Sequence, residues 1–140
     1  MTEPLISICL ADQKKNYQPG EQLTCEYQID AVEASELQAV EASVLWFTEG
    51  KGDEDLSVHY FERRIPSDAD ENDLRPLRRF HTRLPNSPVS YRGAILNVCW
   101  CVRVRVFLRR GKDVFFDYPF QLGSVPPVNV KAEAKTDRAR

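Results

Sequence analysis

Leu96-Asn-Val-Cys-Trp-Cys-Val-Arg-Val-Arg-Val-Phe-Leu-Arg-Arg-Gly-Lys-Asp-Val-Phe-Phe-Asp-Tyr-Pro-Phe-Gln-Leu122 is the stretch whose reading decides the fold. Val98, Trp100, Val102, Val104, Val106 and Leu108 alternate with Cys99, Cys101, Arg103, Arg105, Phe107 and Arg109, the period of two that gives a strand one apolar and one basic face. After Arg110-Gly111-Lys112, Val114, Phe116, Tyr118, Phe120 and Leu122 form a second apolar row, with Phe115, Asp117 and Gln121 opposite it. The two runs predict a β-hairpin. Because a one-residue slip would turn one strand inside out, the two apolar rows must share a side. A three-residue loop at 110–112 meets that condition and sets Val106 opposite Phe116, Val104 opposite Tyr118 and Val102 opposite Phe120. On the other face it sets Arg109 opposite Asp113, Phe107 opposite Phe115 and Arg105 opposite Asp117.

Working outward, Ile6, Ile8 and Leu10 predict a first strand, and Leu23, Cys25, Tyr27 and Ile29 a second. Between them Gln18-Pro19-Gly20-Glu21 has the residues of a type II turn. The segment 31–38 reads as a loop with at most one helical turn, since so short a helix has no second turn to support it. Val40, Ala42, Val44 and Trp46 predict a third strand; Leu56, Val58 and Tyr60 resume the alternation after the charged connection 49–55, so these two strands form a second hairpin. The acidic segment 66–76 reads as an exposed loop. Its Asp68, Asp70 and Asn72 imitate the opening of a calcium loop, but Asp73 stands where glycine is required and Arg79 where the bidentate glutamate is required. Leu77 to Leu84 predict another strand. About seven strands and no persuasive helix give an all-β antiparallel sandwich of immunoglobulin-like type. Residues 1–122 form one domain and 123–140 a disordered tail.

The 140 residues are enough for one core, and a formal net charge of -2 argues against a dedicated nucleic-acid binder. The N-terminal segment lacks the basic region of a signal peptide and the length of a membrane span, so a cytoplasmic protein without an integral membrane segment is expected. Cys9, Cys25, Cys99 and Cys101 lie within strand-like runs without CxxC spacing and are read as packed thiols; no metal or cofactor is expected. Neither His59 nor His81 stands beside a nucleophile motif, and no phosphate loop, dinucleotide fingerprint or HExxH occurs, so no catalytic residue is assigned and the chain is not expected to be an enzyme.

Two segments together resemble the arrestin family: Tyr17-Gln-Pro-Gly-Glu21-x-Leu23-x-Cys-x-Tyr27, similar to the turn and strand of α-arrestin N-terminal domains, and Phe80-x-x-x-Leu84-Pro85-x-Ser-Pro88-x-Ser90-Tyr91-x-Gly93 followed by Val98-x-Trp100-x-Val102. The resemblance implies an arrestin-like sandwich used for protein interaction or scaffolding. Arrestins carry two such sandwiches and sense phosphorylated receptors with charges held between them, whereas this chain has room for one, so neither phosphate sensing nor receptor binding is carried over.

The sharpest candidate surface is the outer row Arg103, Arg105, Phe107, Arg109 and Phe115. Guanidinium forks bind carboxylates and phosphates bidentately, which suits a protein partner with an acidic or phosphorylated segment. The competing reading is a solvated face whose arginines pair with Asp113 and Asp117. An edge strand, with Leu5 to Leu10 the nearest choice, leaves a homo-oligomer open. The alternative function is a small-ligand-binding sandwich with its pocket between loop ends.

Overall fold

The computed structural model describes residues 3–52, 54–66 and 73–123. Nine strands follow in order: β1 Leu5–Leu10, β2 Asn16–Tyr17, β3 Gln22–Asp30, β4 Leu37–Gly50, β5 Leu56–Arg64, β6 Arg78–Arg83, β7 Tyr91–Arg92, β8 Leu96–Leu108 and β9 Val114–Leu122. All but β2 and β7 run six residues or more, and those seven are the strands the alternation predicts. A small sheet has the order β1-β3-β6; a larger one has the order β2-β9-β8-β4-β5, with β7 also pairing β8. Every pairing is antiparallel except the short parallel contact of Asn16 and Tyr17 with Gln121 and Leu122.

The period-two rows meet between the sheets. Leu23, Cys25, Tyr27 and Ile29 of β3 face Val40, Ala42 and Val44 of β4 and Trp100, Val102, Val104 and Val106 of β8, all buried. Leu122 closes one end, and Tyr17 and Phe120 meet edge to face with ring centres 5.5 Å apart. Burial holds the Tyr17 phenol protonated, its pKa pushed up to about 12, and raises the Cys25 thiol likewise to about 12. Gly20, at φ +83°, takes the position of the turn that needs a left-handed residue, and the Glu21 N–H donates to the Gln18 carbonyl (3.0 Å), as a type II turn requires.

The hairpin of β8 and β9 forms, but two residues out of the expected register. Val106 pairs with Val114, Val104 with Phe116, Val102 with Tyr118 and Trp100 with Phe120. A two-residue shift leaves every side chain on its expected face, so facing alone cannot distinguish the two registers. On the other side of β8, Leu37 and Ala39 of β4 pair with Leu108 and Phe107, and the Arg109 N–H donates to the Glu36 carbonyl (2.9 Å). The end of β8 extends along β4 past the last pair with β9, and the connection to β9 is wider than residues 110–112. Leu37 and Gln38, expected in a loop, begin β4; the helical turn before them is a 3-10 turn at Ala34–Glu36. Phe116, expected in the core, is 49% exposed, because β9 has no strand on its far side at that height.

The expected row Leu56, Val58 and Tyr60 is also divided. Val58 pairs with Leu45 and Tyr60 with Val44, so His59 is an extra residue in β5, a bulge. Leu56 and Val58 therefore lie with Phe61 on the outer face, all three exposed, while Tyr60, Glu62 and Arg64 point between the sheets. Leu74, in the segment read as an exposed loop, is buried. The calcium-loop comparison at 68–72 and the tail beyond 123 fall outside the described residues.

Candidate interaction face

The outer face of the large sheet is built by register. Across β9, β8, β4 and β5 one row reads Phe115, Arg105, Glu41, Arg63, and the next Asp117, Arg103, Ser43, Phe61. The four residues Arg103, Arg105, Phe107 and Phe115 come together as expected, but in a different arrangement. Phe107 lies between the guanidinium carbons of Arg63 (5.4 Å to the ring centre) and Arg105 (5.8 Å); Phe115 lies between those of Arg105 (5.4 Å) and Arg103 (4.8 Å). Cations and aromatic faces thus alternate over two rings, each contact worth about 0.5–1 kcal/mol at an exposed site.

Each of these guanidiniums also has a carboxylate, and here the expected partners are corrected. Asp117 is bound by Arg103, through Nε (2.7 Å) and Nη2 (3.0 Å), and not by Arg105; Asp113 is held by Arg105 and not by Arg109. Phe107 does not face Phe115, because Arg105 stands between them. All three differences follow from the two-residue register shift. Arg109 stands apart: its Nε donates to the Ser35 carbonyl (2.8 Å), pinning the 3-10 turn. Hydrogen bonding to Asp117 raises the Arg103 pKa further.

Arg105 is held differently from Arg103. Its Nε is 3.1 Å from Asp113 Oδ2 but is buried and not aligned for a hydrogen bond. The face therefore contains one guanidinium in a bidentate pair and one in an ion pair without an aligned hydrogen bond. Arg63, paired with Glu41 at 2.5 Å, completes the ladder from a strand that the sequence reading did not connect to it. Below the ladder the same face turns apolar, with Leu45 and Cys101 buried and flanked in register by Val58 and Pro119.

A second polar group, missed by the sequence reading, lies between the sheets. Glu62 accepts hydrogen bonds from Tyr27 Oη (2.6 Å), Tyr60 Oη (2.9 Å) and the Arg78 guanidinium (3.3 Å from Nε and from Nη2). Arg64, itself buried, donates to Tyr27 Oη (3.2 Å). Tyr60 stacks on Phe80 at 4.7 Å. Burial alone would raise the Glu62 pKa, but the donors of Arg78, Tyr27 and Tyr60 outweigh it and hold the carboxyl below its usual range. Burial and the same bonds push Tyr60 up to about 12, so the phenol remains a donor. This cluster ties β5 to β3 and β6.

The residues carrying the family resemblance turn out to be structural fastenings. Gly20 N–H donates to the Leu84 carbonyl (3.1 Å) and Leu84 N–H to the Glu21 carbonyl (2.9 Å), so the two motif segments are bonded to each other. The Ser90 Oγ accepts from the Leu122 N–H (2.8 Å), and Trp100 Nε1 donates to the Pro88 carbonyl (2.8 Å). At Gly93 a Cβ would meet the exposed Tyr91 ring at 2.4 Å, so a larger residue there requires that ring to move aside.

An open concavity of about 230 Å³ between Asp30, Val32, Asp73 and Arg75 has its charges occupied: Arg75 binds Asp73 (3.0 Å) and the Val32 carbonyl (3.3 Å). It is smaller than the usual ligand pocket. Among the described residues no group of three or more His, Cys, Asp or Glu side chains is placed to hold a metal, and no helix is long and apolar enough to cross a membrane.

The two sheets, packed face to face over one core, form an all-β sandwich. Among solved structures the chain is similar to Spo0M, a sporulation control protein from Bacillus subtilis, with a TM-score of 0.61 and 13% sequence identity, over 99% of this chain and 56% of that one. At that identity the likeness is one of fold, and it does not single out the α-arrestin type. No protein-family model and no curated protein matches the sequence.

Proposed function

We propose that the chain is a non-catalytic interaction module whose outer face around Arg103, Arg105, Phe107 and Phe115 binds an acidic or phosphorylated segment of a protein partner. The observation that carries this reading is Arg105, stacked between two aromatic rings but without an aligned carboxylate bond. A phosphate, with more charge and more acceptor oxygens than Asp113, can displace that carboxylate without disturbing the Arg103 pair. Phe115, half exposed, supplies apolar area beside it. Arg109, expected in the same surface, supports the 3-10 turn instead and is left out of the binding group.

The test is fluorescence anisotropy with matched acidic peptides, phosphorylated and not, on the wild-type chain and on Arg105→Gln and Phe115→Ser. The phosphorylated peptide is expected to bind more tightly, and Arg105→Gln to weaken it about tenfold, or roughly 1.4 kcal/mol. Binding should also fall as salt rises. No binding at millimolar peptide, or binding indifferent to both substitutions, rejects the reading.

A further inference from the structure

β9 borders β8 on one side. On its other side β2 covers only Gln121 and Leu122, so among the described residues β9 is an open edge from Val114 to Pro119. The direction of its backbone groups follows from alternation. Gln121 and Gly123 donate their N–H groups away from β8, to the carbonyls of Lys15 (2.8 Å) and Tyr17 (2.7 Å). In an antiparallel ladder alternate residues turn both N–H and C=O the same way. Phe115, Asp117 and Pro119 therefore turn theirs to the open side, and Pro119, which has no N–H, is tolerated for that reason.

This edge differs from the other three of six residues or more, of which β6, Arg78–Arg83, exposes no large apolar side chain. β5 is interrupted by the His59 bulge, a device that blunts strand addition. β1 exposes one large apolar side chain, Leu5. β9 runs without a bulge and exposes a phenylalanine on each face, Phe115 and Phe116, both at 49%.

We propose that β9 pairs antiparallel with β9 of a second copy, extending the large sheet across a two-fold axis. Charge selects the register, because outward-turned residues must meet one another. Centring the pair on Phe115 sets Asp113 against the partner's Asp117, and centring it on Asp117 sets that carboxylate against itself. Centring it on Phe116 avoids both. Phe115 then meets the partner's Asp117, which is already neutralised by Arg103, and forms reciprocal backbone bonds with it. Phe116 meets its own copy on the inner side, and Val114 meets the partner's Tyr118. The pairing goes beyond the outer-face reading and does not depend on it, since the Arg105 stack is complete within one chain.

Sedimentation velocity of the full chain over a range of concentrations tests it, with Phe116→Lys, Phe116→Glu and their equimolar mixture. Position 116 is half exposed, and far-UV circular dichroism checks that each variant is folded. The wild type is expected to dimerise reversibly. Each variant alone should need at least tenfold more protein to do so, since like charges meet at the axis, and mixing the two should restore the dimer. A substitution that merely damaged the fold would not be rescued by mixing. In a Cys9→Ser background, Phe116→Cys should cross-link under mild oxidation, because opposed residues at a narrow pair lie about 4.5 Å apart, within disulfide reach. Phe115→Cys should not. A wild type that stays monomeric at every concentration, including one whose edge takes up a different peptide strand, overturns the proposal. So does a dimer indifferent to Phe116→Lys, a mixture that remains monomeric, or cross-linking at 115 in place of 116.

Discussion

Glu62 shows how a single residue can set the acid stability of a sandwich. Its side chain is 12% exposed and receives four hydrogen bonds from three residues, Tyr27, Tyr60 and Arg78. The folded carboxyl titrates below the usual 4.5, so its contribution is complete above that value and is lost as the pH falls through the folded pKa. Replacing it by glutamine keeps the shape but removes the charge that four donors address. Glu62→Gln is expected to lower stability at pH 7 by about 1–3 kcal/mol and to flatten the fall in stability below pH 4.5. Urea denaturation at several pH values measures both. An unchanged acid limb would show that other carboxylates control it. Gly50 makes a steric counterpart: at φ +142° a Cβ would lie 2.2 Å from the Ile95 carbonyl oxygen, in backbone that cannot yield cheaply. Gly50→Ala is expected to lower the melting temperature by several degrees, whereas Gly20→Asn, in open space at a left-handed position, should cost little.

At the level of the strand, sequence alternation reports facing and not offset. The apolar and polar rows of β3 are those of the sequence, residue for residue. For β8 and β9 the same alternation is satisfied by two registers, so alternation alone does not select the one observed. The ion pairs of the outer face move with that choice, so the members Arg103, Arg105, Phe107 and Phe115 were legible while their partners were not. β5 was less legible still. Its His59 bulge changes which parity faces inward, and no turn residue or glycine marks it, so Tyr60, Glu62 and Arg64 could not be recognised as an inner cluster. The bulge itself yields a prediction. Deleting His59 leaves Val58 against Leu45 and Tyr60 against Val44, now as consecutive positions of a regular strand separated by nothing. What is lost is the His59 Nε2 contact with the Arg83 carbonyl (2.8 Å) and the Thr82 hydroxyl (3.2 Å), and its ring contact with Trp100. The deletion variant is expected to keep its strand content and to melt a few degrees lower; loss of the β-sheet spectrum would mean that the bulge holds the inner cluster in place.

Across the whole molecule the two sheets share one core, and the fold was readable because seven alternating runs with turn residues between them have few ways of burying their apolar rows together. The family motifs pointed to the same architecture for a physical reason: their residues are the ones that bond the Gln18–Glu21 turn to Leu84, and Ser90 and Pro88 to β9 and β8. The proposed binding surface has no comparable constraint, since a solvated basic face and a binding face share one composition. The shared core does make a firm statement about unfolding. Trp100 is buried on the long central strand β8, packs near Phe120 on β9 (5.9 Å) and is bonded to the Pro88 carbonyl of the crossing segment. Neither sheet can lose its partner without exposing that ring. Denaturation followed by tryptophan fluorescence and by far-UV circular dichroism is therefore expected to give coincident midpoints, as for a two-state domain. Trp100→Ala should lower stability by about 3–5 kcal/mol, a large share of the 5–15 kcal/mol typical of a domain, and should shift both signals together, with Trp46 reporting the fluorescence. Two separated transitions would mean that the small sheet of β1, β3 and β6 comes away from the large one before the large sheet itself melts.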